Sequence, residues 1–366
     1  MSCSAAAELL GLSERQFLRL RDRYEADGAE GLLDRRRGRA SGKRVAVDRI
    51  EWVLDQYRTR YFDFTVKHFH ERLVAEHDFK LSYTWTKQVL QQAGLVKRAP
   101  KRSAHRKKRQ RRPLPGMMLF QDGSTHTWFA NQPMLDLIVT LDDATGAIYS
   151  AFFVEEEGTL SSLRGLSEVI ERHGLFGSFY TDRGSHYFIT PEAGGPVDKS
   201  QLTQVGRALK QLGIEHIPSY SPEARGRMER AFGTIQKRLP QELRVAGIDT
   251  IARANQYLRE IFVPEYNKNF SVKPAEEGTA FVPFVGQLAE ILCVQDERVV
   301  GRDNCVRYNN LALQIPEQSH RHHYVKATVQ VRAYADSTLA IFHGPRCLAR
   351  YCADGALLQP EQHRAA

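Results

Sequence analysis

The segment from Lys97 to Arg112 constrains this chain most, because ten of its sixteen residues are Lys or Arg and none is acidic. Such a run cannot enter a hydrophobic core, and its like charges repel unless a polyanion neutralises them. Pro113-Leu114-Pro115-Gly116 follows and stops a helix from continuing through it. The chain is therefore divided into at least two folding units, joined by a basic linker over 97–113. The charge balance divides at the same place. Residues 1–113 hold 27 Lys+Arg against 14 Asp+Glu, whereas the other 253 residues hold 25 against 29. A basic front half on a slightly acidic back half points to a module for binding polyanions, with nucleic acid the obvious one.

The front half reads as two all-α helix-turn-helix units. In the first, over 1–45, Ala5–Leu10 forms a short helix, Gly11 allows the turn and Ser13 caps a second helix. That second helix sets Phe17, Leu20 and Tyr24 inward and Arg15, Arg19 and Arg23 elsewhere, as a recognition helix would. The other reading is an amphipathic helix with a solvated basic face. In the second unit, over 46–96, the last helix is capped near Ser82 or Thr84. It carries Trp85, Val89 and Leu90 inward and Lys87, Gln88, Gln91 and Gln92 outward, and Gly94 ends it. Two units in tandem suit a long DNA site. The linker adds Lys97, Arg98, Lys101, Arg102, Arg106, Lys107, Lys108, Arg109, Arg111 and Arg112 as candidate DNA contacts.

From Met117 the texture changes to α/β. Strands are expected at 117–120, 134–141, 147–154, 177–181 and 214–217, with helices at 159–173, 201–212, 223–245 and 250–266. Three strands followed by alternation give a mixed five-stranded sheet over 114–275. Beyond Pro283 short strands separated by turns predict a small all-β barrel over 285–352. The five cysteines at 3, 293, 305, 347 and 352 include no C-x-x-C pair, which argues for free thiols and a reducing compartment. No apolar run reaches the roughly 18 residues of a membrane span, and Met1–Ala5 shows no secretory pattern. A cytoplasmic setting is expected.

Three acids stand where strand and helix ends gather them: Asp122 after Leu119-Phe120-Gln121, Asp182 after Tyr180-Thr181, and Glu229 in the first turns of the 223–245 helix. Met228, Phe232, Ile235, Leu239 and Leu243 form one stripe on that helix, with Glu229 about 100° from Met228 at its edge. Gly226 and Gly233 leave space beside it. Transferring a phosphodiester requires an activated oxygen nucleophile and stabilisation of a departing alkoxide. Two hard divalent ions roughly 3.5–4 Å apart do both, and they take carboxylate oxygens. Singly, Asp122 and Asp182 also read as turn residues and Glu229 as a helix salt-bridge partner. Glu223 is the competing third acid. Asp142 and Asp143 read as hairpin-turn residues, Glu155–Glu157 as a solvated strand end, and His68, His70 and His77 as polar-face helix residues. His320-Arg321-His322-His323 reads as a basic strand connection.

Residues 117–270 resemble the catalytic core of insertion-sequence transposases related to retroviral integrases, the Asp-Asp-Glu group. The resemblance lies in Phe120-Gln121-Asp122-Gly123-Ser124, Thr181-Asp182-Arg183-Gly184-Ser185 and Ser221-Pro222-x-Ala224-Arg225-Gly226-Arg227-x-Glu229-Arg230. It implies a ribonuclease H-like core and two Mg²⁺ ions, replaceable by Mn²⁺, held by Asp122, Asp182 and Glu229. It also implies cleavage at element ends followed by strand transfer, in a bacterial, nucleoid-associated setting. Arg225, Arg227 and Arg230 become candidate phosphate contacts. Three departures stand out: Arg183 replaces a frequent Asn, Asp182 and Glu229 are 47 positions apart, and the zinc-binding His/His/Cys/Cys domain of retroviral integrases is missing. Double-stranded DNA is the implied partner, as terminal inverted repeats and as target. An element has two ends and each chain one carboxylate set, so at least a dimer is expected on paired ends. With the end-binding module held apart by a flexible linker, an end bound by one subunit would be cut by the other. A non-catalytic DNA-binding regulator that kept the fold, or a nuclease that hydrolyses without joining, are the competing readings.

Overall fold

The computed structural model describes residues 1–33, 44–98, 109–192, 195–198, 200–220 and 222–358, without the side chains of 222–225. Helices α1 (Cys3–Leu9) and α2 (Glu14–Gly31) are capped by Ser2 and Ser13, whose side chains accept the Ala5 and Gln16 N–H groups. Gly11 makes the turn between them with φ of +66°, a conformation that costs other residues a Cβ clash. Helices α3 (Val47–Thr59), α4 (Val66–His77) and α5 (Tyr83–Gln92) share a core of Val53, Tyr57, Tyr61, Phe64, Phe69, Leu73, Phe79 and Leu90. Ser82, not Thr84, caps α5.

The central unit is a mixed sheet of order β3-β2-β1-β4-β5. Strands β1 (Met118–His126), β2 (Leu135–Asp142) and β3 (Ile148–Val154) form an antiparallel meander, and β4 (Ser178–Thr181) and β5 (Glu215–Pro218) run parallel to β1. Side chains alternate across β1, so Met118 and Phe120 enter one core while Leu119 enters another. The Leu119 face is covered by α6 (Thr159–His173) and α7 (Gln204–Gln211). The Phe120 face is covered by α8 (Pro222–Ile235), α9 (Leu239–Val245), α10 (Ile251–Tyr257) and α11 (Val263–Phe270).

The single long helix expected over 223–245 is two helices, α8 and α9. Pro240 sits in the first turn of α9, where its missing N–H costs nothing. The expected 250–266 helix runs on to Phe270 through a π-helical turn over Leu258–Phe262, in which the Val263 N–H reaches Leu258 O just before Pro264.

The C-terminal unit is not the closed barrel expected. An open antiparallel sheet of order β12-β11-β10-β9-β6 contains β6 (Val294–Val299), β9 (Thr328–Ala333), β10 (Leu339–His343), β11 (Arg346–Tyr351) and β12 (Leu357–Leu358). Strands β7 (Cys305–Tyr308) and β8 (Leu311–Gln314) pair as a separate hairpin across Asn309 and Asn310, both at positive φ. Among the described residues β12 is two residues long and does not pair with β6, so the sheet is open. One core still joins sheet and hairpin, through Val306, Leu313, Val331 and Ile341.

The second helical unit is not held apart from the core. His68 of α4, read from sequence as a polar-face residue, is buried with its Nε2 2.8 Å from Glu242 Oε1 of α9. Arg72 and the Tyr257 hydroxyl reach Glu242 Oε2 at 2.8 and 2.9 Å. Arg238 pairs with Glu71 at 2.7 Å and Arg244 with Asp63 at 2.6 Å. Burial pushes the Glu242 carboxyl up, but the His68 hydrogen bond and the Arg72 charge outweigh it and hold the group below its ordinary value. All five cysteines are free thiols. Among the described residues, no helix is long and apolar enough to cross a membrane.

Candidate active site

The parallel pairing of β1 with β4 places Phe120 beside Tyr180, their rings packed edge to face at 5.2 Å. Two residues further along each strand, on the same face, come Asp122 and Asp182. Strand alternation puts Asp122 on the Phe120 face of β1, and Asp182 leaves β4 at the same end of the β1–β4 ladder. Both are half-buried. Asp182 follows the last residue of β4, and its Oδ1 accepts the Gly184 N–H at 2.9 Å, turning the chain sharply. Thr181 is anchored from β5: its Oγ1 lies 3.0 Å from His216 Nε2, and the Ser219 N–H donates to Thr181 O at 3.0 Å.

On α8, Met228, Ala231, Phe232 and Ile235 are buried against the sheet. Glu229 falls at the edge of that stripe and is exposed. A Cβ at Gly226 or Gly233 would meet nothing within 4 Å, so the space beside Glu229 is open. Gln236 anchors the end of α8 to β1, donating from Nε2 to Ser124 Oγ at 3.0 Å. Among the described residues, no three His, Cys, Asp or Glu side chains converge as a metal site. Asp122 and Asp182 thus stand half-buried at one end of the β1–β4 ladder, while Glu229 is exposed on α8. The donor set suits a hard divalent ion, since paired carboxylates supply oxygen ligands. The rival Glu223 lies at the start of α8, where its side chain is outside the described residues.

Beside this pair is a group that sequence reading missed. Glu157, read as part of a solvated strand end, is half-buried against β1. A Cβ at Gly123 would stand 2.2 Å from Glu157 Oε2, so the residue after Asp122 lacks a side chain where Glu157 closes in. His186 Nε2 lies 3.5 Å from Glu157 Oε1. Tyr187, 1% exposed, donates its hydroxyl to Gln121 Oε1 at 2.9 Å, and Gln121 Nε2 donates to Thr140 Oγ1 at 2.9 Å. Burial first, then the negative charges of Glu157, Asp182 and Asp122, hold the Tyr187 phenol well above its ordinary value. One buried phenol thus senses all three acids. The only local signal for Glu157 was the glycine following Asp122.

The basic candidates divide into three groups. Arg15, Arg19, Lys87, Lys97, Arg98, Arg112 and Arg230 have exposed side chains. Lys101, Arg102, Arg106, Lys107, Lys108 and the side chain of Arg225 lie outside the described residues. The others are paired within the protein, though Arg109 remains exposed. Arg23 Nη2 donates to Leu33 O at 2.6 Å. Arg109 and Arg227 both pair with Asp143, and Arg111 Nη1 donates to Asp143 O at 3.0 Å. Asp142 and Asp143, read as turn residues, are fully buried. Arg183 serves its loop, donating to Gly195 O at 2.7 Å and lying over the Tyr220 ring.

Residues 1–47 match the winged helix-turn-helix family. The chain is 31% identical over 347 residues to the putative transposase y4bF of Sinorhizobium fredii, an alignment covering 93% of this chain and 75% of that protein. It is 27% identical over 355 residues to the transposase for insertion sequence IS1202 of Streptococcus pneumoniae, covering 87% and 76%. Similar solved structures include a chain of the simian T-cell lymphotropic virus intasome in complex with PP2A regulatory subunit B56 gamma. That similarity has 16% identity, 73% and 88% coverage and a TM-score of 0.34. Another is the HTLV-2 integrase catalytic core domain in complex with magnesium, at 19% identity, 40% and 89% coverage and a TM-score of 0.29.

Proposed function

The chain belongs to the insertion-sequence transposases, and from that premise we propose that it binds the terminal inverted repeats of its element and cuts and joins DNA on a ribonuclease H-like core. The observation that supports this reading is the parallel pairing of Phe120 in β1 with Tyr180 in β4, two residues before Asp122 and Asp182 respectively. In this reading Asp122, Asp182 and Glu229 would hold two Mg²⁺ ions, and the ions, when bound, would supply the charge that activates an attacking oxygen and stabilises the leaving one. Water is the first nucleophile and a 3′-hydroxyl the second, without a covalent protein–DNA intermediate.

The protein's remaining work is binding and alignment. The exposed Arg15 and Arg19 of α2 and Lys87 of α5 sit on helices built to read grooves, and the basic segment over 97–108 tracks phosphates. Paired ends call for two chains, one active site to each.

The exposure of Glu229 favours one alternative, a non-catalytic DNA-binding regulator. Duplex DNA carrying the element's ends, incubated with the chain and Mg²⁺, separates the two. Nicks with 3′-hydroxyl ends that then join to a target support the transposase. Tight binding without cleavage in Mg²⁺ or Mn²⁺ supports the regulator, and cleavage without joining leaves a nuclease.

A further inference from the structure

Asp143, none of whose surface is exposed, sits just beyond β2 and gathers three distant segments. Its N–H donates to Met118 O at 3.0 Å, at the start of β1. Its Oδ2 accepts the Arg112 N–H at 2.7 Å, and its Oδ1 takes the guanidinium groups of Arg109 and Arg227. Arg227 also donates from Nη2 to Arg109 O at 2.7 Å, which ties α8 directly to the end of the basic segment. A buried carboxylate is tolerated only when partners of this kind satisfy it. The Met118 bond extends the β1–β2 pairing, and the Arg227 contact is the one that bears on the seating of α8.

Successive helical residues lie about 100° apart, so Arg227 and Glu229 flank the buried Met228 on opposite sides. In the sheet, β2 and β4 flank β1 on opposite sides as well. Helix α8 lies over β1, with Met228 and Phe232 in the same core as Phe120. Arg227 is pinned toward the β2 side, where Asp143 stands. The opposite edge of α8, which carries Glu229, then faces the β4 side, where Asp182 follows the strand.

We propose that Asp143 is a positioning residue: through Arg227 it sets the rotation of α8 about its own axis and holds Glu229 on the side of Asp182. The proposal rests on the reading of Glu229 as the third carboxylate. The test uses the full chain with Arg227→Gln, Asp143→Asn and the conservative Arg227→Lys. Arg227→Gln leaves Asp143 paired with Arg109 and Arg112, so that variant keeps its buried charge satisfied if Asp143→Asn fails to fold.

Two quantities are read: amide hydrogen exchange across 226–235, and the Mg²⁺ concentration giving half-maximal cleavage. Arg227→Gln is expected to speed exchange in α8 at least about tenfold relative to β4. It is also expected to raise the Mg²⁺ midpoint several-fold, with end binding unchanged and Arg227→Lys restoring much of both. Exchange in α8 within twofold of the parent overturns the clamp. Faster exchange with an unmoved Mg²⁺ midpoint makes Asp143 a structural residue only and overturns its positioning role. A parent chain that binds ends and never cuts overturns instead the reading on which the proposal rests, whatever α8 does.

Discussion

His216 shows how a side chain of no catalytic type comes to matter near the site. It stacks on Phe188 at 4.0 Å between centroids and supports Thr181, the residue before Asp182. Burial pushes its imidazole from 6.5 down to about 4. The folded chain therefore binds fewer protons than the unfolded chain between these values. The stability of the neutral ring is fully present above pH 6.5 and is lost as pH falls toward 4, about 2 kcal/mol between pH 7 and pH 5. His216→Gln is expected to remove that part of the acid sensitivity, read by urea unfolding at both pH values. A loss equal to the parent's would assign the acid sensitivity to other groups. Sequence alone singled out Asp122 and Asp182 as candidates because strand ends advertise themselves through turn residues and glycines. It missed Glu157, and it placed Asp143 in its hairpin turn without foreseeing its burial, because the partners of both lie far off in sequence and no local period records them.

At the scale of elements, the amphipathic stripes were legible and their interruptions were not. Met228, Phe232, Ile235, Leu239 and Leu243 keep helical spacing across the break between α8 and α9, and all five remain in one core. Proline in the first turn of a helix disturbs neither the spacing nor the core, so the pattern reads through the break. Alternation likewise revealed the C-terminal strands, but closure depends on whether β6 meets β12, which alternation does not encode.

The docking of α4 on α9 through Glu242 joins residues 174 positions apart. Removing one member of such a buried charged group strands the others, so Glu242→Ala is expected to cost about 3–5 kcal/mol of stability. Thermal unfolding checks this, and a loss near zero would mean that the helical unit is not seated there. The basic segment makes a different expectation. Replacing Lys101, Arg102, Lys107 and Lys108 together is expected to weaken specific and random DNA alike, flattening the log–log salt slope by about 0.9 for each lost phosphate contact. Binding measured across a salt series decides it, and a loss confined to the specific site would make the segment a reader of bases.

At the scale of the molecule, the docked helical unit changes the expected division of labour between subunits. Arg238 meets Glu71 of α4, while Gln236, two residues earlier, meets Ser124, two residues beyond Asp122. The second helical unit is thus seated beside its own chain's candidate site, not at the end of a free linker. That arrangement favours cutting each end in cis, against the exchange expected from a flexible linker. Mixing an Asp182→Asn chain with a binding-defective but catalytically intact one is expected to stay inactive even when both enter one complex. Restored cleavage would return the account to exchange.

The most direct test of the central claim compares Asp122→Asn, Asp182→Asn, Glu229→Gln and Glu223→Gln in Mg²⁺-dependent cleavage of end-containing DNA, with end binding measured alongside. The account expects the first three to abolish cleavage while still binding ends, because each acid supplies a ligand that the others cannot replace, and expects Glu223→Gln to cut. Near-normal cleavage by any of the first three, above all by Glu229→Gln with loss in Glu223→Gln instead, would contradict it.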